Sequence, residues 1–177
     1  LASKSDLRKN AHAILKSISK DRKIKASEDF FAMFESLAFK EAIILSFSPL
    51  SYELDVSKLN RLLTKKKKLA LPRVVNNELE IYLVDDLSNL TLSNYGILEP
   101  SVNPEKKISI EKISHILVPA LLFDPYNNRL GHGFGFYDRL LKDQKAKTIG
   151  IGFIEQLHTP FLPISPHDVA LNELFLF

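Results

Sequence analysis

Leu130-Gly131-His132-Gly133-Phe134-Gly135-Phe136-Tyr137-Asp138-Arg139 holds three of the six glycines of the chain, at alternate positions. Before it runs Ile116-Leu117-Val118-Pro119-Ala120-Leu121-Leu122-Phe123, apolar and strand-like until its proline. After it, Tyr137, Leu140 and Leu141 begin a helical period. Strand, glycine-rich turn and helix in that order deliver backbone N–H groups to an anion. Glycine tolerates positive φ and carries no side chain to block a phosphate, and the positive end of the helix dipole lies at the same place. Taken alone, Gly-x-Gly-x-Gly describes a tight structural turn as often as a phosphate site. It is not the dinucleotide fingerprint, and it lacks the Gly-Lys-Ser/Thr of a P-loop. Its company adds weight: Asp124 and Arg129 stand upstream, and Tyr137, Asp138 and Arg139 downstream. An arginine, carboxylates and free amides in one turn are what a metal–nucleotide site is made of.

Outward from this loop, strands alternate with helices. Leu7, Ala11, Ile14, Leu15 and Ile18 mark one face of an opening helix. Lys4 and Arg8, four apart, project from one side of its first turns, where cations are unfavourable unless an anion sits in front of them. Ser27 is the expected cap of a second helix with Phe30, Phe31, Phe34 and Leu37 as its stripe. Ala42 to Phe47 reads as a buried strand running into the loop Ser48-Pro49-Leu50-Ser51-Tyr52-Glu53, then a helix led by Asp55. Glu53 thus sits at a strand-to-helix junction, where α/β proteins place ligands. Leu69 to Arg73 is a short strand, and Leu79, Ile81 and Leu83 alternate as a half-buried partner antiparallel to it. The segment from Asp85 to Lys107 is polar and turn-rich, and Lys147 to Phe153 gives one more strand. The expected fold is a single α/β domain over 1–177 with a mostly parallel central sheet flanked by helices.

Composition narrows the function classes. A net charge of +3 over 177 residues gives no global basic field for nucleic acid. The run Lys65 to Lys68 suits the negative end of an exposed helix and needs no RNA to explain it. No apolar run approaches the roughly 20 residues that span a bilayer, so no membrane partner is expected. The absence of cysteine excludes disulfides and thiolate metal sites. With charges from Lys4 to Lys9 and no signal-peptide core, a cytoplasmic monomer is the expectation. His115, His158 and His167 show no ligand spacing, so no transition metal is assigned.

Val118-Pro119-Ala120-Leu121-Leu122-Phe123-Asp124, followed by Arg129-Leu130-Gly131-x-Gly133-x-Gly135-x-Tyr137-Asp138-Arg139-x-Leu141, resembles the signature of the 5-formyltetrahydrofolate cyclo-ligase family. The likeness continues at Lys4 and Arg8, Glu53-Leu54-Asp55, Pro72-Arg73, Asn94 to Pro100, Gln156 and His167 to Leu174. It implies a three-layer, Rossmann-like domain that uses ATP and Mg²⁺ to convert 5-formyltetrahydrofolate to 5,10-methenyltetrahydrofolate. A non-catalytic folate or nucleotide binder of the same fold is the alternative. The resemblance further implies an ATP site of Lys4, Arg8, Arg129, Leu130, Gly131, His132, Gly133, Phe134, Gly135, Phe136 and Tyr137. The folate would meet Glu53, Tyr95 and the loop from Gly133 to Tyr137. Arg129, Lys4 and Glu53 would act on the reacting groups, Arg73 would face the site, and Asp138 and Asn172 would hold the metal. Some relatives carry basic residues at the positions of His132 and Phe134, a tyrosine at that of Phe136, and a metal-binding aspartate at that of Asn172. Asp168 is nearby but is a different position.

Overall fold

The computed structural model describes residues 2–39 and 42–177. Leu1, Lys40 and Glu41 lie outside that description, as do the side chains of Leu37 and Phe39. The elements are α1 (Lys4–Ser17), α2 (Lys20–Phe34), β1 (Ile43–Leu45), α3 (Ser57–Lys65), β2 (Leu69–Val75), β3 (Glu78–Leu83), β4 (Thr91–Leu92) and β5 (Leu98–Glu99). They continue with β6 (Lys107–Ile108), β7 (Ile113–Val118), β8 (Leu122–Phe123), β9 (Arg129–Leu130), α4 (Phe136–Leu141), β10 (Lys147–Gly152) and β11 (Glu173–Leu176).

Seven strands form one sheet in the order β11-β10-β7-β1-β2-β3-β6. The first five run parallel, and β3 and β6 are antiparallel additions at one edge. The expected antiparallel pairing of Leu79–Leu83 with the preceding strand is present, with Leu71 opposite Tyr82. The central strands are covered on both faces, which is why they read as unbroken apolar runs rather than alternating ones. Side-chain alternation sorts them into two cores: Ile44, Leu69, Leu71 and Leu117 pack with α1, α2 and α3. Leu45, Ala70, Ile116 and Val118 pack with Leu141 of α4 on the other side. The result is three layers.

Helix α1 buries Leu7, Ala11 and Leu15, and Ser3 caps it by accepting from the Asp6 N–H. Each buried leucine contributes about 1.5–3 kcal/mol of transfer free energy. The cap of α2 is Ser19, not Ser27. Ser27 lies in mid-helix and donates its hydroxyl to the Lys23 carbonyl at 2.9 Å, the back-bonded arrangement open to a helical serine. The first two turns of α2 are mostly charged, so no apolar period announced them.

β1 connects through α3 to β2 on one side of it, whereas β7 leads to β10 and β11 on the other. The order therefore reverses between β1 and β7, and the crevice beyond their carboxyl ends is where an open α/β sheet offers a ligand site. The loop after β1 carries Glu53. After β7, however, the chain does not pass straight into the glycine loop: a small hairpin of β8 and β9, with Leu122 opposite Leu130, intervenes.

Candidate active site

A cavity of about 390 Å³ lies at this crevice, and its wall divides into two chemically distinct halves. One half is cationic and built from both ends of the chain. Lys4 opens α1, and its ammonium donates to Ser165 Oγ at 3.0 Å and to the Asp168 carboxylate. Burial opposes ionisation of Asp168, but the bonds from Lys4 and from the Ser165 N–H outweigh it and hold the carboxyl below its usual range. One turn along α1, Arg8 Nε donates to the Gly131 carbonyl at 2.9 Å, so the guanidinium lies against the glycine loop. Gly133 has φ +100°, and a Cβ there would come 3.3 Å from Arg8 Cζ. Its hydrogen side chain is what allows that approach. Gly135, at φ +67°, sits in the left-handed region at the start of α4, where a side chain is disfavoured. Among the described residues, the N–H groups of Gly131, Gly133 and Gly135 have no hydrogen-bond partner, which leaves them for an anion.

Arg129 closes this half. It is buried, with 4% of its side chain exposed, and donates Nη2 to Asp138 Oδ1 at 2.7 Å and Nη1 to the Val169 carbonyl at 2.5 Å. The Val169 N–H returns to the same Asp138 oxygen at 3.2 Å. Arg129, Asp138 and the 165–169 segment thus form one bracket. At the junction between the halves stands Glu53, whose Oε2 accepts from the Leu50 N–H at 2.9 Å while Oε1 lies 3.7 Å from His132 Nε2. Burial, reinforced by Glu53, holds the Tyr137 phenol far above its usual pKa, and pushes that of Tyr52 up to about 12. His12 packs against Tyr52 and His132 with ring centroids 5.3 and 5.8 Å apart, and burial, then His132 and Lys16, lowers its pKa.

The other half is apolar and aromatic. Phe134 and Phe136 stack at 5.4 Å and 18°, and Tyr95, from the β4–β5 turn, meets them edge-on at 5.4 and 5.8 Å. Pro72, Val74, Leu79, Ile97 and Leu98 complete the surface, and Glu99 adds a carboxylate to it.

A sequence profile of the 5-formyltetrahydrofolate cyclo-ligase family matches residues 1–176. The chain is 30% identical over 188 aligned residues to a probable 5-formyltetrahydrofolate cyclo-ligase of Caenorhabditis elegans, covering 97% of this chain and 91% of that one. The match to the Haemophilus influenzae 5-formyltetrahydrofolate cyclo-ligase is 33% identical and spans about half of each, 48% and 46%. The fold superposes on the Aquifex aeolicus 5,10-methenyltetrahydrofolate synthetase structure with a TM-score of 0.82 at 31% identity, over 97% of this chain and 88% of that one. The Mycoplasma pneumoniae 5,10-methenyltetrahydrofolate synthetase shares the fold, with a TM-score of 0.73 at 22% identity over 98% of both chains. The chain belongs to the 5-formyltetrahydrofolate cyclo-ligase family.

Most of the site residues expected of a cyclo-ligase converge on this cavity: Lys4, Arg8, Glu53, Tyr95, Arg129, the loop from Leu130 to Tyr137, and Asp138. Asn172 stands apart. Its amide oxygen accepts from the Thr148 N–H at 2.7 Å and from the Thr148 hydroxyl at 2.9 Å, so it fastens the start of β11 to β10 outside the cavity, with its acceptor already engaged. Asp124 is also outside. Fully buried, it accepts from the Tyr126, Asn128 and Leu162 N–H groups and from the Asn128 amide, organising the β8–β9 turn. Arg73 points its Nη1 to the Pro100 carbonyl at 2.7 Å and does not line the cavity. The sequence did not single out Glu99, Ser165 or His12. Glu99 lies in a two-residue strand within a turn-rich stretch, and its place in the family-like block from Asn94 to Pro100 was the signal available.

Proposed function

We propose that the cavity performs an ATP-driven ring closure, with the nucleotide phosphates in the cationic half and the folate in the aromatic half. As a family member the chain is a 5-formyltetrahydrofolate cyclo-ligase, converting 5-formyltetrahydrofolate to 5,10-methenyltetrahydrofolate, and the family uses ATP. The observation that supports this division is that one loop serves both halves. The Gly131 and Gly133 backbone lies against Arg8, while the side chains of Phe134 and Phe136 make the aromatic face. A phosphate on the loop's amides and a ring on its aromatics are held side by side.

The formyl carbonyl is amide-like and deactivated by N5, so its oxygen must become a leaving group. The formyl oxygen attacks the γ-phosphorus, an O–P bond forms, and ADP leaves. N10 then attacks the formyl carbon, the C–O bond breaks and phosphate departs; the proton lost from N10 leaves on the phosphate. The chain's task is to align the formyl oxygen with the γ-phosphate and to offset developing charge. Lys4, Arg8 and Arg129 neutralise phosphate charge, and the amides of Gly131, Gly133 and Gly135 cradle it. Preorganised donors of this kind lower a barrier by about 3–4 kcal/mol each. Glu53, fixed by the Leu50 N–H, orients the pterin or formyl group, and the Tyr137 phenol donates to either ligand.

The residues also fit a magnesium ion. Mg²⁺ takes one or two carboxylates and completes its shell with phosphate oxygens and water, and Asp138 places a braced carboxylate beside the phosphate cations. Asp138 would hold it, and the bound ion would neutralise the β- and γ-phosphates. The test is absorbance of the methenyl product after mixing protein, 5-formyltetrahydrofolate, ATP and Mg²⁺ near neutral pH, with ATP omitted as control. ATP-dependent signal is expected; binding of both ligands with no signal would leave a binding protein.

A further inference from the structure

Among the described residues, four carboxylates line the cavity. Asp138 is held by Arg129, Asp168 by Lys4, and Glu53 by the Leu50 N–H with His132 beside it. Glu99 is different. It is 4% exposed, yet its nearest cation, Arg73 Nη1, is 4.0 Å away, and the Val74 N–H reaches it only at 3.4 Å. Arg73 has turned its Nη1 to the Pro100 carbonyl, and its buried Nε has no partner, so the two residues do not form a bidentate ion pair. Burial raises the Glu99 pKa, with Val74, Arg73 and a Ser93 hydrogen bond only partly opposing it. A carboxylate has about four acceptor positions, so Glu99 can accept further donors beside Val74 and Ser93.

Its surroundings point to the chemistry of those further donors. Glu99 shares the cavity wall with Tyr95, Phe134 and Phe136, the surface suited to a flat heteroaromatic ring. The pterin of the substrate presents the 2-amino group and N3–H side by side, two parallel donors that match a carboxylate as a guanidinium does. Adenine offers a donor beside an acceptor on each edge, and a carboxylate satisfies only half of that. We propose that Glu99 is a specificity-determining residue that receives the 2-amino and N3–H donors of the pterin, fixing which way the ring lies against the aromatic face. This rests on the placement of folate in the aromatic half. The orientation matters because N5 and N10 must face the phosphate half for the ring to close.

The experiment is a double-mutant cycle between protein and ligand. Binding of 5-formyltetrahydrofolate and of its 2-desamino analogue is measured by calorimetry on the wild-type chain and on Glu99→Gln, which keeps the volume and the Val74 contact. Hydrogen bonds to a charged group set the expected scale. Removing the amino group should weaken wild-type binding about tenfold or more, Glu99→Gln should weaken binding of the parent ligand about as much, and the two losses should not add. ATP affinity should stay within about twofold, since phosphates carry it. Glu99→Asp, measured in the same way, serves if the amide variant fails to fold. Full additivity, or a loss confined to ATP, would overturn the assignment. Wild-type methenyl formation is a separate readout: its absence with the cycle intact would sink the catalytic reading and leave this one standing.

Discussion

Arg129 Nη2 and Asp138 Oδ1 lie 2.7 Å apart, and the arginine of this pair is almost wholly buried. The pair joins the end of the β8–β9 hairpin to the first turn of α4 across the glycine loop, so the loop's shape depends on it. Substituting Arg129 by lysine removes the planar fork that reaches both Asp138 and Val169. We expect kcat to fall about 10²–10³-fold and stability to drop by about 3 kcal/mol. Steady-state kinetics and denaturant melts check the two effects; unchanged kcat would remove Arg129 from the reacting groups.

Asp138→Asn retains the shape of the side chain and one acceptor for Arg129 but loses the charge that attracts a cation. The expected outcome is a rise of the half-saturating Mg²⁺ concentration by about tenfold or more, with folate binding unaffected. Turnover that keeps the wild-type Mg²⁺ dependence would move the metal elsewhere.

Gly133→Ala puts a Cβ 3.3 Å from Arg8 Cζ in a backbone conformation that side chains rarely adopt. About 1–3 kcal/mol of backbone strain is expected, seen as a lower melting temperature. The KM for ATP should rise more than that for folate. Adding Arg8→Ala should recover part of the melting temperature but none of the ATP affinity.

Asp168 supplies a pH test of the Lys4 anchor. Its carboxyl binds a proton less tightly folded than unfolded, so its contribution to stability is whole above the unfolded pKa and is lost as pH falls through the folded one. The melting temperature of wild type should therefore exceed that of Asp168→Asn at neutral pH, and the gap should narrow below about pH 4. A gap independent of pH would show that Asp168 acts through packing rather than charge.

Lys65 to Lys68 give a negative control. Replacing all four by glutamine should leave turnover within about twofold of wild type, because none of them lines the cavity.

The parallel sheet and the convergence of cations on the glycine loop were legible because each rests on short-range regularity. Apolar runs such as Ile116 to Val118 mark doubly covered strands, and the Lys4–Arg8 spacing fixes two cations on one helical turn. The hairpin between β7 and the glycine loop was not legible, since two-residue strands leave no periodicity to read. Asp124 resembled a site carboxylate by sequence proximity, but four donors gathered from 126, 128 and 162 make it a turn organiser. Asn172 was placed by resemblance, and its pairing with Thr148, 24 residues earlier, is a tertiary fact. Glu99 needed the fold most: only when the β4–β5 turn is laid over β2 does its burial, with Arg73 at 4.0 Å rather than in a bidentate pair, become visible.

The Lys4–Asp168 contact joins positions 164 residues apart. During synthesis the helix of Lys4 leaves the ribosome before the glycine loop, and Asp168, the partner of Lys4, leaves later still. Until then the cationic half of the cavity is incomplete, and any ligand that binds only the finished site cannot lend its binding energy to the growing chain. The early layers must therefore hold together on apolar packing alone, and the large buried face of the first three helices is what the nascent protein has to rely on.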